Sequence, residues 1–147
     1  MTTVNVYLTF NGNCEEAFLF YQSVFGGEFG HFSRFGDMPP SEEGQSMPED
    51  QKNRIMHVSL PISTQTAIMG SDTGGEWASS FIHGNNFAVS INVDSTAEAD
   101  RLFSGLSEGG QVTMPMAATF WGSYFGMFSD KFGINWMVSC DVTADEH

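Results

Sequence analysis

The strongest constraint on this chain is that it runs through one pattern twice. From Val4 to Phe10, apolar Val4, Val6, Leu8 and Phe10 alternate with Asn5, Tyr7 and Thr9. A period of two predicts a strand with one face in a core. Asn11-Gly12-Asn13 follows as turn material, with Asn13 able to cap a helix. Cys14, Ala17, Phe18, Tyr21, Val24 and Phe25 then recur at steps of three and four, an amphipathic helix that Gly26-Gly27 stops. The same order restarts at Phe87, where Phe87, Val89, Ile91 and Val93 alternate with Ala88, Ser90 and Asn92. Ser95-Thr96-Ala97-Glu98 fits a capping box, Ala99, Leu102, Phe103 and Leu106 form the apolar stripe, and Gly109-Gly110 ends the helix.

The later parts correspond as well. Met56 to Asp72 predicts a strand, a turn at Ser63-Thr64-Gln65 and a returning strand. Phe125 to Asp141, a segment of equal length, turns at Ser129-Asp130-Lys131-Phe132-Gly133 with Gly133 in the positive-φ place. Each half therefore reads strand, helix, then two or three strands, a duplicated unit. Phe35 to Asn53, with Pro39, Pro40, Pro48 and a cluster of acids, is expected as an exposed insertion in the first half. Gly74 to Asn85 joins the halves through Trp77, Phe81 and Ile82.

The expected fold class is α+β: two tandem βαβββ modules within a single domain spanning 1–147, module 1 at about 1–73 and module 2 at about 86–142. Two such sheets placed edge to edge would enclose a trough on the side away from the helices. Alternation puts Val4, Val6, Leu8, Val89 and Ile91 under the helices. Asn5, Tyr7, Thr9, His57, Ser59, Ala88, Ser90 and Asn92 then face the trough. A plain solvated sheet face alternates in the same way. The presence of Tyr, Thr, His, Ser and Asn without Lys or Glu favours a binding surface.

Charge narrows the partners. Five Lys and Arg against 18 Asp and Glu leave −13, so neither nucleic acid nor an anionic membrane is an expected partner. No apolar run approaches the roughly 18–20 residues that span a bilayer, and the start at Met1-Thr2-Thr3-Val4 lacks the marks of an export signal. Two cysteines, Cys14 and Cys140, make no disulfide framework, and a cytoplasmic location is expected.

Asn11-Gly12-Asn13-Cys14-Glu15-Glu16-Ala17-Phe18, Phe35-Gly36-Asp37-Met38-Pro39-Pro40, Met69-Gly70-Ser71-Asp72, Gly109-Gly110, and Thr119-Phe120-Trp121-Gly122 through Asp130-Lys131-Phe132-Gly133 span nearly the whole chain. Together they resemble the PhnB-like branch of the vicinal oxygen chelate superfamily, which includes glyoxalase I, bleomycin-resistance proteins and extradiol dioxygenases. The resemblance implies the glyoxalase/bleomycin resistance fold and a homodimer. It also implies, for catalytic members, a divalent metal held by His and Glu on four strands. Matching those strands puts the four seats near Val6 or Tyr7, Met69, Phe87 or Ala88, and Met137. None is a donor for a hard cation, so no metal at the usual place and no cofactor are expected.

His57, on a strand and aimed at the polar face, is the best candidate base, and otherwise a structural hydrogen-bonding residue. His31 and His83 sit beside glycines in expected surface turns, and His147 is terminal. Thr119 to Gly126 is either a core edge strand or an aromatic wall for a ligand. Arg34, Arg54, Arg101 and Lys131 do not converge on an anion, and Cys14 is expected to be buried. Glu42, Glu43, Glu49 and Asp50 could attract loose cations, but a solvated loop is the expected setting. No Gly-x-Gly-x-x-Gly or Walker spacing occurs, which leaves no loop for a nucleotide-like methyl donor.

The reading is a small-molecule-binding protein that holds a partly apolar or aromatic ligand with Tyr7, Thr9, His57, Ser59, Ser90, Trp121 and Phe125. The alternative is a glyoxalase-like lyase or isomerase using a displaced metal or His57 as base.

Overall fold

The structure, a computed structural model, describes residues 2–37, 49–74 and 81–141. The chain divides between Ile82 and His83 into two compact units. The first contains β1 (Val6–Phe10), α1 (Cys14–Phe25), β2 (His31–Arg34), the short α2 (Glu49–Lys52), β3 (Ile55–Pro61) and β4 (Ala67–Asp72). Its sheet has the order β1-β4-β3-β2, with β1 parallel to β4 and the other pairs antiparallel. The second contains β5 (Val89–Val93), α3 (Thr96–Ser107), β6 (Gln111–Ala118), β7 (Ser123–Ser129) and β8 (Asn135–Asp141). Its order is β5-β8-β7-β6, with the same mixture of pairings. Both units are βαβββ modules, as the duplicated pattern predicts.

In the first unit the stripe of α1 (Cys14, Ala17, Phe18, Tyr21 and Val24) is buried, together with Leu8, Phe10, Ile55, Val58, Leu60 and Ile68 of the strands. Phe18 meets the Phe10 and Tyr21 rings edge-on at centroid distances of 6.2 and 5.6 Å. It lies so close to β4 that a Cβ on Gly70 would stand 2.7 Å from both its Cε2 and the Leu8 carbonyl oxygen. Val4 departs from expectation: it precedes β1 and is exposed, because the parallel pairing with β4 begins only at Val6.

The start of α1 is also held differently from the expected Asn13 cap, whose side chain makes no capping hydrogen bond. The carboxylate of buried Asp72, at the end of β4, accepts from Gly12 N (2.8 Å) and Cys14 N (3.0 Å) through Oδ1. Its Oδ2 accepts from Ile55 N at 2.9 Å. One ionisable group with about four lone-pair sites can satisfy three backbone donors and complement the positive helix end, which a neutral amide does less well.

In the second unit Ser95 caps α3 as expected, its Oγ accepting from Glu98 N at 3.1 Å. The return leg of the capping box is replaced: the Glu98 carboxylate accepts from Arg101 Nε and Nη2, a salt bridge on the exposed helix face. Ala99, Leu102 and Leu106 are buried along with Ile91, Phe128, Trp136 and Val138. Asp130 organises the β7–β8 turn by accepting from Phe132 N, Ile134 N and the Trp136 indole N–H at 2.8, 3.0 and 2.8 Å. Gly133 supplies the positive φ of 87°.

The aromatic segment is not an edge strand. Thr119 to Gly122 forms a turn closed by Thr119 N and Oγ1 on the Ser123 carbonyl, and β7 then runs between β8 and β6. Phe120 and Trp121 at the turn are 98% and 60% exposed. In the insertion, Phe35–Asp37 is a 3-10 turn and Glu49 and Asp50 open α2, while Glu42, Glu43, Pro39, Pro40 and Pro48 lie outside the described residues. Trp77 of the connector and His147 also lie outside them. No helix among the described residues is long and apolar enough to cross a membrane.

Candidate functional site

Alternation in β1, β3 and β4 turns Leu8, Val58, Leu60, Ile68 and Gly70 towards α1. The intervening residues, Tyr7, Thr9, His57, Ser59, Met69 and Ser71, form the open face of the first sheet. Register sets Tyr7 beside Met69, Met69 beside Ser59, and Ser59 beside His31. Ser33 of β2 lies beside His57. This brings together the first-unit candidates Tyr7, Thr9, His57 and Ser59.

The centre of this face is a ring cluster. The Tyr7 hydroxyl is 3.4 Å from His57 Nδ1, and the two rings stack with centroids 5.7 Å apart at 26°. On the other side of His57 the His31 ring lies 5.2 Å away, centroid to centroid. His31 Nε2 is 3.1 Å from Ser33 Oγ, and that hydroxyl in turn donates to the His57 carbonyl. His57 is half-buried, Tyr7 and His31 exposed, so the cluster is solvent-accessible on a hydrogen-bonded sheet.

His31 is the residue that sequence reasoning misplaced: it opens β2 rather than sitting in a turn, although it is exposed as expected. Its one signal is the alternation of His31 and Ser33 around Phe32, too short to count as a periodicity. His83, by contrast, is exposed in the second unit and donates from Nε2 to the Gly133 carbonyl at 2.9 Å.

Cations near the first sheet are spent on the protein itself. Arg34 makes a two-pronged contact with Glu15, at 3.0 and 2.8 Å, and also donates to the Asn53 carbonyl. Hydrogen bonding from Arg34 holds the Glu15 carboxyl below the usual carboxylate range. Arg54 donates to Asn11 Oδ1 and to both oxygens of Thr73. Cys14 is fully buried, and that burial, with the negative charge of Asp72 and Glu15, pushes its thiol far above the ordinary range. A thiol so placed is no nucleophile.

The other candidates belong to the second unit. Ser90 of β5 pairs with Met137, Asn92 with Ser139, and Phe125 with Ser139, so these share the face of that sheet opposite α3. Trp121 meets Phe125 edge-on at 6.1 Å and Phe120 at 5.0 Å. Tyr124 points the other way and donates to Asp100 Oδ1 of α3 at 2.6 Å.

Register shows which residues stand side by side at the metal seats that the resemblance implies. Tyr7 and Met69 pair directly, whereas the partner of Met137 is Ser90, not Phe87 or Ala88, because β5 begins at Val89. Neither the phenol and thioether of Tyr7 and Met69 in the first unit nor the hydroxyl and thioether of Ser90 and Met137 in the second offers a donor for a hard divalent cation, which takes carboxylate and carbonyl oxygens. Among the described residues no three His, Cys, Asp or Glu side chains are grouped to hold an ion.

The profile of the family described as 3-demethylubiquinone-9 3-methyltransferase matches residues 2–139. Protein YjdN of Escherichia coli (strain K12) is 31% identical over 138 residues, 90% of this chain and 91% of that one. The crystal structure of protein PA1353 from Pseudomonas aeruginosa is 41% identical, with a TM-score of 0.80, covering 97% of this chain and 100% of that one. A glyoxalase/bleomycin resistance protein/dioxygenase family enzyme from Burkholderia phytofirmans PsJN shares the fold at 16% identity, with a TM-score of 0.60 over 94% and 97% of the two chains. With the duplicated βαβββ unit, these matches establish that the chain belongs to the PhnB-like family described as 3-demethylubiquinone-9 3-methyltransferase, built on the glyoxalase/bleomycin resistance fold.

Proposed function

We propose that this chain is a binding protein that holds a small, partly apolar or aromatic molecule without an ion at the family's usual seat. The observation that carries the reading is the Tyr7–His57–His31 cluster on the open face of the first sheet. Its flat rings and the neighbouring Met69 thioether offer stacking and dispersion, and the hydroxyls of Tyr7 and Ser59 offer oriented hydrogen bonds, the mixture that small-molecule sites use. Ser90, Trp121 and Phe125 stay proposed ligand-binding residues on the second unit's own sheet face. The working form is a homodimer in the cytoplasm, a location in keeping with two cysteines that are both buried. A thermal-shift and calorimetric screen of small aromatic and apolar metabolites tests the reading. Hits that weaken about tenfold or more in His57→Ala support it, the loss expected when a central polar contact is removed; hits indifferent to His57 and Tyr7 count against it.

A second reading, a glyoxalase-like lyase or isomerase, draws on the Tyr7 hydroxyl beside His57 Nδ1, which would set the tautomer of an imidazole base. Turnover of an enolisable carbonyl compound, abolished in His57→Ala, would favour it. Methyl transfer, which the family's description names, lacks a glycine fingerprint for a nucleotide-like donor in this sequence.

A further inference from the structure

We propose that His31 and His57 form a seat for a late divalent transition-metal ion such as Zn2+, Ni2+ or Cu2+, displaced from the place where the superfamily holds its metal. The seat lies on the same open face as the proposed ligand site, and deepens that reading by giving the face a cation of its own.

With metal–nitrogen bonds of about 2.0–2.1 Å and each ring centroid about 1.1 Å behind its nitrogen, tetrahedral binding separates two imidazole centroids by about 5 Å. The observed separation is 5.2 Å. The two histidines sit on paired antiparallel strands as diagonal neighbours, two residues out of register on the same face, so backbone hydrogen bonds fix their spacing.

Both imidazoles also have an outer hydrogen-bond partner. A metal-bound imidazole usually gives its other N–H to a hydrogen-bond acceptor, which sets the tautomer and turns the ring. His31 Nε2 faces Ser33 Oγ, whose own proton goes to the His57 carbonyl, so the hydroxyl accepts from Nε2–H and leaves the lone pair on His31 Nδ1. His57 Nδ1 faces the Tyr7 hydroxyl, which can accept from Nδ1–H and leave the lone pair on Nε2. Each ring thus has one nitrogen partnered and one available. Two nitrogens suit borderline cations and not Mg2+ or Ca2+, and a net charge of −13 favours any cation's approach. Coordination places beyond the two imidazoles stay open to water or to oxygen atoms of a ligand.

Calorimetric titration of the full chain with Zn2+ alone, in excess Mg2+, tests this. The expected result is one saturable ion per chain, weakened about tenfold or more by His31→Ala and by His57→Ala and unchanged by His83→Ala. Binding equal in all three variants, or displaced by Mg2+ and therefore held by surface carboxylates, would overturn it, as would the absence of saturable binding. Circular dichroism first establishes that the variants are folded. Should His57→Ala not fold, Cu2+ paramagnetic resonance decides: nitrogen hyperfine structure that loses one nitrogen in His31→Ala supports the seat, and an unchanged spectrum refutes it. The titration contains no organic molecule, so its failure and failure of the ligand screen are separate results.

Discussion

The Tyr7 hydroxyl stands 3.4 Å from His57 Nδ1, with the two rings stacked at 26°, although the residues lie fifty positions apart in the chain. The parallel β1–β4 pairing and the antiparallel β3–β4 pairing bring them together, and Met69 on the intervening strand occupies the same face. The contact is exposed and long, so it adds little to stability; its consequence is an oriented pair of polar rings on a fixed platform.

Removing the Asp72 carboxylate should be among the most damaging single changes in the first unit. Asp72→Ala leaves Gly12 N, Cys14 N and Ile55 N without their acceptor inside the fold. A loss of about 3 kcal/mol is expected, with roughly half that for Asp72→Asn, which keeps one oxygen. Chemical denaturation measures both; a loss under about 1 kcal/mol in Asp72→Ala would contradict the role assigned to it.

Gly70→Ala should destabilise by about 1–3 kcal/mol, because the new methyl meets the Leu8 carbonyl oxygen and the Phe18 ring at 2.7 Å. The same substitution at Gly27, where a Cβ would have nothing within 4 Å, meets only the strain of a φ of 79°. Comparing the two unfolding midpoints separates crowding from backbone strain.

Neither cysteine should react with a thiol reagent at pH 8 in the native protein. Cys14 and Cys140 are buried, and Cys14 is held in its thiol form by that burial and by nearby negative charge. Two equivalents should react once denaturant is added; fast native labelling would show that the α1 core is not packed as described.

The Glu15–Arg34 pair should contribute a small acid-sensitive increment. The folded-state pKa of Glu15 is lowered, so the stabilisation is present above the ordinary carboxylate value and is lost as pH falls through the lowered one. Because both side chains are about a third or more exposed, solvent screening limits it to about 0.5 kcal/mol. Glu15→Gln should therefore trail the parent at neutral pH and converge with it in acid, which pH-dependent denaturation curves would show.

What could be read from the sequence is what depends on local period. Alternation around Leu8 and Ile91 and the stripes from Cys14 and Ala99 place the strands and helices because each residue's face is set by its near neighbours. The repeat of that order then implies two sheets of the same topology. Contacts fixed by long-range pairing were hidden. Asp72 displaces Asn13 as the cap across 58 residues, and Glu98 turns to Arg101 because an exposed guanidinium one turn away competes with a backbone N–H. The site was half legible: Tyr7, Thr9, His57 and Ser59 share a face by alternation, but only the β2–β3 register brings His31 and Ser33 to it.

The most direct test of the central claim, that the face around Tyr7 and His57 receives the ligand, is a heteronuclear magnetic resonance titration with a compound found in the screen. The largest shifts are expected on the His57 and His31 imidazoles and on the amides of Tyr7, Ser59 and Met69, and Tyr7→Phe should reduce them. Saturable shifts confined to residues outside both open sheet faces, with these five unmoved, would contradict it.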